Sequence, residues 1–473
     1  MRVLTALAIG CVLMAPVAVQ GQFSPGARSV GMGGAGMVYA SGLDAIEWNP
    51  ANLALDAGWS VGAELGGAGL INGATCDELM AILSAGSCDR LPWQWDLDAT
   101  SCSPAIVSAL PSSGAAFSSN SEGFTTAFGA SAADLPQPGS PVPTLGVTVG
   151  SFGVRARSRV MTDATMSKEL LSLMCEGFDP ARIQEYAVGN TGFQTTSFSE
   201  FTGAYGATIG ARLAIGVGVR YVVGHSLTRG RFFEPTVDLV NETIEVTGVA
   251  VESRGGSGYG LDVGVALDLV AGLRVSVSGT NVVQKMTWDE DLSSHVATFV
   301  GCADGTASCP GGDDFGDLDF ADFLDRFEEQ PIDPDAVSLP VYQTAADLFA
   351  GSYFPTVFRG GVGWRNQGTS VELVGVSVSP RGRQRNDWDE RVSLGLEQRL
   401  GFMAFRVGGA KGSEGLQVLS AGVGFGFGPV ALDVSGGFMS GGFDLTSGVL
   451  TPEDVSYDGA HLTLSLQVRG GGR

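Results

Sequence analysis

The sequence predicts an all-β fold, a transmembrane antiparallel β-barrel of about fourteen strands with an N-terminal plug segment and long extracellular loops containing short helices. Three observations predict it. Segments with apolar residues at every second position recur along the 473-residue chain, as expected of strands with one apolar face. Beyond the N-terminus, no run approaches the roughly 18 uncharged apolar residues of a membrane helix. Finally, short turns alternate with long connections, as they do in bacterial outer-membrane barrels.

The N-terminal segments differ from the barrel in amino-acid composition. Residues 1–21 contain Arg2, an apolar run and small residues before Gln22, which is the pattern of a cleaved secretory signal peptide. Residues 22–57 are predicted to form a plug, or hatch, and residues 58–473 the outer-membrane barrel.

The predicted strands follow a regular order. A first strand at 59–65 and a closing strand at 462–468 enclose six hairpins: 145–149 with 154–160, 198–209 with 213–221, 259–269 with 273–277, 353–365 with 370–379, 391–400 with 403–409, and 416–427 with 430–438. The six tight turns fall near 151, 210, 271, 367, 401 and 428, and the long connections are 70–143, 163–197, 226–256, 285–352 and 441–458. If strands alternate in direction, all the tight turns share one end of the barrel. An apolar phase shift at Val374–Gly375 predicts a β-bulge there.

Charged residues occupy the strand phase opposite to the apolar one. An Arg or Lys facing hydrocarbon at mid-depth costs roughly 2 to 4 kcal/mol, so this phase must face the lumen. The predicted lumen-facing charges are Arg155, Arg157, Arg159, Arg212, Arg220, Asp262, Arg274 and Arg406. Two interpretations stay open: these residues form salt bridges with inward acids and the plug, or they line a path for an anionic head group such as a carboxylate.

The net charge of −23 argues against nucleic-acid binding, which needs a basic face. The acidic residues are concentrated in one part of the chain, since residues 289–347 contain fifteen Asp or Glu and one Arg. This predicts a long acidic loop at 285–352. Within it, Asp313, Asp317, Asp319 and Asp322 resemble a contracted calcium loop, although they lack the full EF-hand spacing. The alternative is an acidic helix in the loop, and no cofactor is expected.

The cysteines predict disulfides, and the histidines give little support to an enzyme. In an exported chain, disulfides are the default for Cys76, Cys88, Cys102, Cys175, Cys302 and Cys309. Cys302 with Cys309 and Cys76 with Cys88 are the first pairings to test, although connectivity cannot be read from sequence. The three histidines, His225, His295 and His461, are far apart, and no metalloprotease or nucleophile-elbow motif is present.

The plug region carries the most distinctive motif. Gly31, Gly33, Gly34 and Gly36 formally match a dinucleotide-binding pattern, but no buried strand precedes them and Asp44 comes far too early. Their glycines instead suit close backbone packing. Trp48, Asn49, Pro50 and Asn52 follow with turn chemistry.

At these residues, ARSVGMGGAG at 27–36 and WNPANL at 48–53, the chain resembles the N-terminal signature of outer-membrane barrels related to the fatty-acid transporter FadL and to PorV-type barrels. The FadL resemblance implies uptake of small hydrophobic, fatty-acid-like molecules through a plugged lumen in the outer membrane of a Gram-negative-type bacterium. The PorV resemblance implies the alternative, a non-transporting anchor or shuttle for a secretion or surface-assembly system. The expected partners are therefore outer-membrane lipid with either hydrophobic ligands or secretion proteins.

Overall fold

The structure, a computed structural model, describes residues 26–55, 58–72, 115–122, 144–166, 192–233, 236–238, 243–270, 272–302, 331–332, 356–378, 390–412, 417–440 and 459–470. Within these residues, nineteen strand segments form one antiparallel sheet. They are β1 (Trp59–Asn72), β2 (Ala115–Glu122), β3 (Thr144–Val149), β4 (Phe152–Met166), β5 (Gly192–Ile209), β6 (Leu213–Phe232), β7 (Thr236–Asp238), β8 (Thr243–Ser253), β9 (Gly255–Asp268), β10 (Leu273–Glu290), β11 (Ser293–Cys302), β12 (Pro331–Ile332), β13 (Val357–Asn366), β14 (Thr369–Val378), β15 (Glu390–Leu400), β16 (Met403–Gly412), β17 (Gln417–Phe427), β18 (Val430–Ser440) and β19 (Gly459–Gly470).

The sheet closes into a barrel of fourteen strands, which confirms the predicted fold class. Closure comes from β1, which pairs with β19 on one side and with β2 and β3 on the other. Three of the fourteen strands are interrupted and consist of two segments each, namely β2 with β3, β8 with β9, and β10 with β11. The short segments β7 and β12 pair only with β8 and β11.

The barrel is apolar outside and polar inside. Along β9 the exposed residues Tyr259, Val263 and Val265 alternate with buried Asp262 and Gly264. The same alternation runs round the wall. Because a protein in water would bury these aliphatic rows, their exposure indicates a surface that faces lipid. Among the described residues, no helix is long and apolar enough to cross a membrane.

Aromatic residues mark one edge of the lipid-facing band. Phe201, Tyr221 and Tyr259 lie side by side on three neighbouring strands, and each is more than half exposed on the outer face. From Leu213 to Tyr221 the strand rises about 26 Å, or roughly 20 Å after tilting, which is close to the apolar height of bacterial barrels.

Six tight turns lie at one end of the barrel, as predicted. Each contains a glycine with positive φ, a conformation that side chains with a Cβ rarely adopt: Gly150, Gly210, Gly272, Gly368, Gly401 and Gly428. We call this the short-turn end and the opposite one the long-loop end. The plug enters from the short-turn end, because Gly58, just before β1, accepts a hydrogen bond from the Gly150 amide.

Several strands are longer than predicted. β6 and β8 occupy most of the predicted 226–256 loop, and β10 and β11 extend to Cys302 inside the predicted acidic loop. β2 lies within the predicted 70–143 excursion. Beyond the membrane the outer face of a strand no longer needs to be apolar, so the period-2 signal that identifies a strand is lost there.

The β-bulge predicted at Val374–Gly375 is wrong. β14 pairs in continuous register with both of its neighbours, and Val374, Val376 and Val378 face inward. The apolar phase shifts because these valines pack in one cluster with Met32, Met37 and other plug residues. Register shifts do occur elsewhere, between Ser197 and Phe198 and between Gly279 and Val283.

Several sequence-based predictions lie outside the described residues. These are the signal peptide at 1–21, the helices expected in the long loops, the candidate calcium ligands Asp313, Asp317, Asp319 and Asp322, and all the exported cysteines except Cys302. They stay predictions.

A charge on the outer face at mid-height should destabilise the barrel. Val217 is exposed on β6 between Leu213 and Tyr221. The substitution Val217→Arg should lower the unfolding free energy of the protein by about 2 to 4 kcal/mol. Ile209→Arg, on the outer face beside the turn at Gly210, is the matched control and should cost no more than about 1 kcal/mol. Urea unfolding in lipid vesicles, followed by heat-modifiable gel mobility, measures both. Equal costs would contradict the lipid-facing assignment.

Candidate functional site

The N-terminal segment 26–55 lies inside the barrel and fills its cross-section near the short-turn end. It contains α1 (Ala27–Gly31), α2 (Leu43–Trp48) and the 3-10 helix Pro50–Ala54. Nearly every side chain between Ala27 and Leu53 is buried. We call residues 26–55 the plug.

The predicted turn residues fix the end of the plug. Asn49 caps the 3-10 helix, because its Oδ1 accepts a hydrogen bond from the Ala51 amide at 3.0 Å. Its Nδ2 donates to the wall carbonyl of Val265 at 3.0 Å. Asn52 Nδ2 donates to the carbonyl of Met37 at 2.9 Å and so ties the two halves of the plug together.

Glycine lets the plug and wall backbones touch. A Cβ on Gly33, which has φ +66°, would lie 2.5 Å from the Gly409 nitrogen. A Cβ on Gly216 of β6 would overlap the backbone at Pro50 and Ala51. The high glycine content therefore has a use inside the barrel, where it makes room for the plug.

Aromatic plug residues meet wall arginines. Trp48 is buried, with the Arg359 guanidinium 5.1 Å from its ring, and its carbonyl accepts a hydrogen bond from Ser278 Oγ at 2.6 Å. Tyr39 was not predicted from the sequence. The centre of its ring lies 4.1 Å from the Arg365 guanidinium and 5.0 Å from the Arg274 guanidinium. Such contacts are favourable when shielded from water.

One plug carboxylate is bound by three wall arginines. Glu47 in α2 lies 3.1 Å from Arg220, 3.2 Å from Arg157 and 3.6 Å from Arg155. Three guanidinium groups at these distances stabilise the ionised form of this buried carboxylate.

The same arginines bind carboxylates of the wall. Arg220 pairs with Asp262 at 2.7 Å and with Glu200 at 3.0 Å, and Arg157 also pairs with Glu200. Arg155 pairs with Glu64 at 3.2 Å. We call Glu47 and these six wall residues the Glu47 network.

The other side of the plug carries the opposite charge. Arg28 in α1 lies 2.8 Å from Glu372 and 3.0 Å from Glu397. Glu372 also accepts a hydrogen bond from the Val38 amide at 2.8 Å. Arg406 joins this group through Glu397 at 2.7 Å and Asp433 at 2.6 Å. The plug is thus held by a cation on one side and an anion on the other.

The structure places most of the predicted lumen-facing charges inside the barrel. Arg155, Arg157, Arg159, Arg220, Asp262 and Arg406 are all buried. Arg274 is largely buried near the short-turn end and pairs with Asp268. Arg212 is the exception, because it lies exposed in the turn between β5 and β6. Arg212 has the same spacing as the inward residues of β6, but β6 begins only at Leu213, so Arg212 belongs to the turn.

The ionic partners on the plug were not predicted. Arg28 and Glu47 lie in short helices that have no strand period, so nothing in the sequence assigns them a direction. Glu372 and Glu397, in contrast, follow the inward phase of β14 and β15, so the strand pattern predicts the direction in which they point.

An apolar cluster lines the inner wall directly beyond the Glu47 network, toward the long-loop end. On β5 it begins at Phe198, two residues past Glu200, and on β6 at Val222, two residues past Arg220. Two residues along a strand span about 7 Å. The cluster comprises Phe198, Val222, Leu227, Phe233, Val249, Val251, Met286 and Trp288.

The three histidines lie in separate places and do not form a common site. His225 is exposed and contacts Ser199, His295 lies in β11, and His461 is buried 3.0 Å from Ser420. Within the described residues, no three His, Cys, Asp or Glu side chains are grouped so as to hold a metal ion.

Comparison with known proteins supports the fold. No protein-family model matches the chain, and no curated protein matches its sequence. A variant of the TodX monoaromatic hydrocarbon channel matches in structure, with TM-score 0.51 and 11% identity over 95% of this chain and 98% of that chain. The shared feature is the barrel fold.

Two other solved structures give slightly lower scores. The toluene transporter TbuX of Ralstonia pickettii has TM-score 0.49 and 13% identity, over 96% of this chain and 99% of its own. A FadL homologue from Pseudomonas aeruginosa has TM-score 0.47 and 11% identity, over 96% and 99%.

Arg220 of β6 and Arg212 in the turn before β6 should differ sharply on substitution. Arg220→Gln breaks a buried network and should cost about 3 to 5 kcal/mol of unfolding free energy, because its partner carboxylates stay buried without a cation. Arg212→Gln, in the exposed turn of the same strand pair, should change it by no more than about 0.5 kcal/mol. Urea titration of both variants in vesicles measures the difference. A large loss of unfolding free energy on Arg212→Gln would contradict its exposed position and indicate that Arg212 faces the lumen.

Proposed function

We propose that the chain is an outer-membrane barrel that takes up small hydrophobic molecules through its plugged lumen. The observation that carries the proposal is the inner apolar cluster around Phe198, Val222 and Trp288, which lies between the long-loop end and the plug. A wall that only anchored the barrel would not need a second cluster of apolar side chains on its inner face beyond the plug.

The lipid-facing outer wall and the short-turn pattern support a bacterial outer membrane as the location. A cargo molecule would enter at the long-loop end, leave water for the apolar cluster, and stop at the Glu47 network. To pass further it would require the plug to shift. The TodX channel, whose fold the chain shares, is named for monoaromatic hydrocarbons, which are small and apolar, as the proposal requires of the cargo.

Plug movement has a definite energetic cost in this proposal. Arg28 and Glu47 each bind two or more opposite charges, and separating a buried ion pair costs about 3 to 5 kcal/mol. The closed state is therefore stable without cargo, and cargo binding must offset that cost.

Uptake into proteoliposomes tests the function. The mature barrel should accelerate entry of a labelled hydrophobic compound through an outer leaflet of lipopolysaccharide, and a chain lacking residues 26–55 should also admit a small hydrophilic dye, because the lumen is then open. Uptake by neither form would contradict transport and favour the anchor or shuttle role.

A further inference from the structure

Arginines surround the mouth of the lumen at the short-turn end. Arg212 lies one residue before β6, and four others lie next to the terminal residue of their strands, on β10, β13, β15 and β19. These four are Arg274, Arg365, Arg399 and Arg469. We call the five arginines together the mouth arginines.

Three of the mouth arginines occupy equivalent backbone positions. The amides of Arg365, Arg399 and Arg469 each donate a hydrogen bond to a carbonyl in the tight turn of the preceding hairpin, at 2.9, 2.8 and 2.7 Å. The carbonyl of Arg212 accepts such a bond from the Asp268 amide at 2.8 Å. The hairpin turns therefore fix these arginines at one height on the rim.

The side chains of the mouth arginines face the barrel axis and not lipid. Arg365 follows the outward residue Trp364, and Arg399 precedes the outward residue Leu400. The Arg365 guanidinium lies 4.1 Å from the ring centre of Tyr39 in the plug. The arginines thus surround the short-turn face of the plug, while the head groups of surrounding lipid lie outside the wall.

The charge of this rim is not balanced by the protein. Asp268, whose side chain is 40% exposed, is the one described acid at the rim that reaches solvent, and it pairs with Arg274. Glu397 is buried and is shared by Arg399 with two deeper arginines. Among the described residues, no carboxylate forms an ion pair with Arg212 or Arg365. In a chain with a net charge of −23, this end has a local excess of cations.

The chemistry of the rim specifies the kind of partner that it fits. All five cations are arginines, whose planar guanidinium groups bind carboxylates through two parallel hydrogen bonds. Exposed groups of one charge around an opening also steer an oppositely charged partner toward it. A chain segment with several carboxylates can therefore pair with several mouth arginines at once.

We propose that the short-turn mouth is a docking surface for an acidic segment of a soluble protein. Carboxylates of that segment pair with Arg212, Arg365 and Arg399. The partner belongs to the compartment that the short turns face, which is the periplasm in bacterial outer-membrane barrels. Because Arg365 also lies against Tyr39, the docked segment lies next to the plug. A transporter and an anchor can both use this surface, so the docking is independent of the cargo.

A fluorescein-labelled oligoglutamate peptide tests the docking, with fluorescence anisotropy measuring its binding to the full barrel in a non-ionic detergent. The peptide should bind at low ionic strength and about tenfold more weakly in about 0.5 M salt, because exposed charges are screened. The double variant Arg212→Gln, Arg365→Gln should weaken binding at low ionic strength about tenfold. Neither substitution breaks an ion pair within the barrel.

The matched control removes two positive charges from the other end. Arg254 and Lys411 are both exposed toward the long-loop end, and the double variant Arg254→Gln, Lys411→Gln should bind the peptide within about twofold of the unmodified protein. Heat-modifiable gel mobility checks that each variant is folded.

Three outcomes would overturn the proposal. Equal weakening by the two double variants would show a general attraction without a site. Failure of the folded, unmodified barrel to bind the peptide would remove the docking surface. The third concerns spin-labelled phosphatidylglycerol in phosphatidylcholine vesicles. If Arg212→Gln, Arg365→Gln abolishes enrichment of this lipid around the barrel but leaves peptide binding unchanged, the arginines bind lipid head groups instead.

Discussion

The cost of placing charge in hydrocarbon determines how this chain is arranged. Each strand has two faces, and lipid excludes ionic groups from one of them. Arg220 and Asp262 must therefore face the lumen, while Val217 and Tyr259 lie outside. A narrow polar lumen is itself unstable unless its charges are paired, because they are also removed from water. The plug supplies part of that pairing, through Glu47 toward one wall and Arg28 toward the other.

Plug and wall are complementary in shape as well as in charge. Glycines such as Gly216 and Gly33 bring backbones into contact, and Asn49 hydrogen bonds directly to a wall carbonyl. Inward valines of β14 give the plug an apolar surface. Because these contacts come from many strands, a substitution in the plug should act on the whole lumen. Functionally, the same contacts set the energy that a cargo molecule must supply to open a path.

The barrel could be predicted from sequence because its two signals are periodic. Alternation along β9 and the tight turns at glycines such as Gly210 and Gly401 gave the strand order and the closed sheet. The signals fail where the lipid constraint stops. Strand extensions such as β8 lie outside the lipid-facing band, so their outer faces need not be apolar. Arg212 lies in a turn, just outside β6. The inward valines of β14 contact the plug and not water. Within the plug, Glu47 and Arg28 follow no period, so only the folded chain shows what they contact.

The central claim is that the outward phase of the strands meets lipid and that the inward phase, which carries the ionic groups, surrounds the plug. Nitroxide labels placed one at a time along β6, from Leu213 to Tyr221, test it most directly in reconstituted vesicles. The account predicts that labels at odd-numbered positions collide with oxygen dissolved in the bilayer, while those at even-numbered positions are shielded from oxygen and immobilised by the plug. Uniform exposure to a water-soluble relaxant, or oxygen contact at the even-numbered positions, would contradict it.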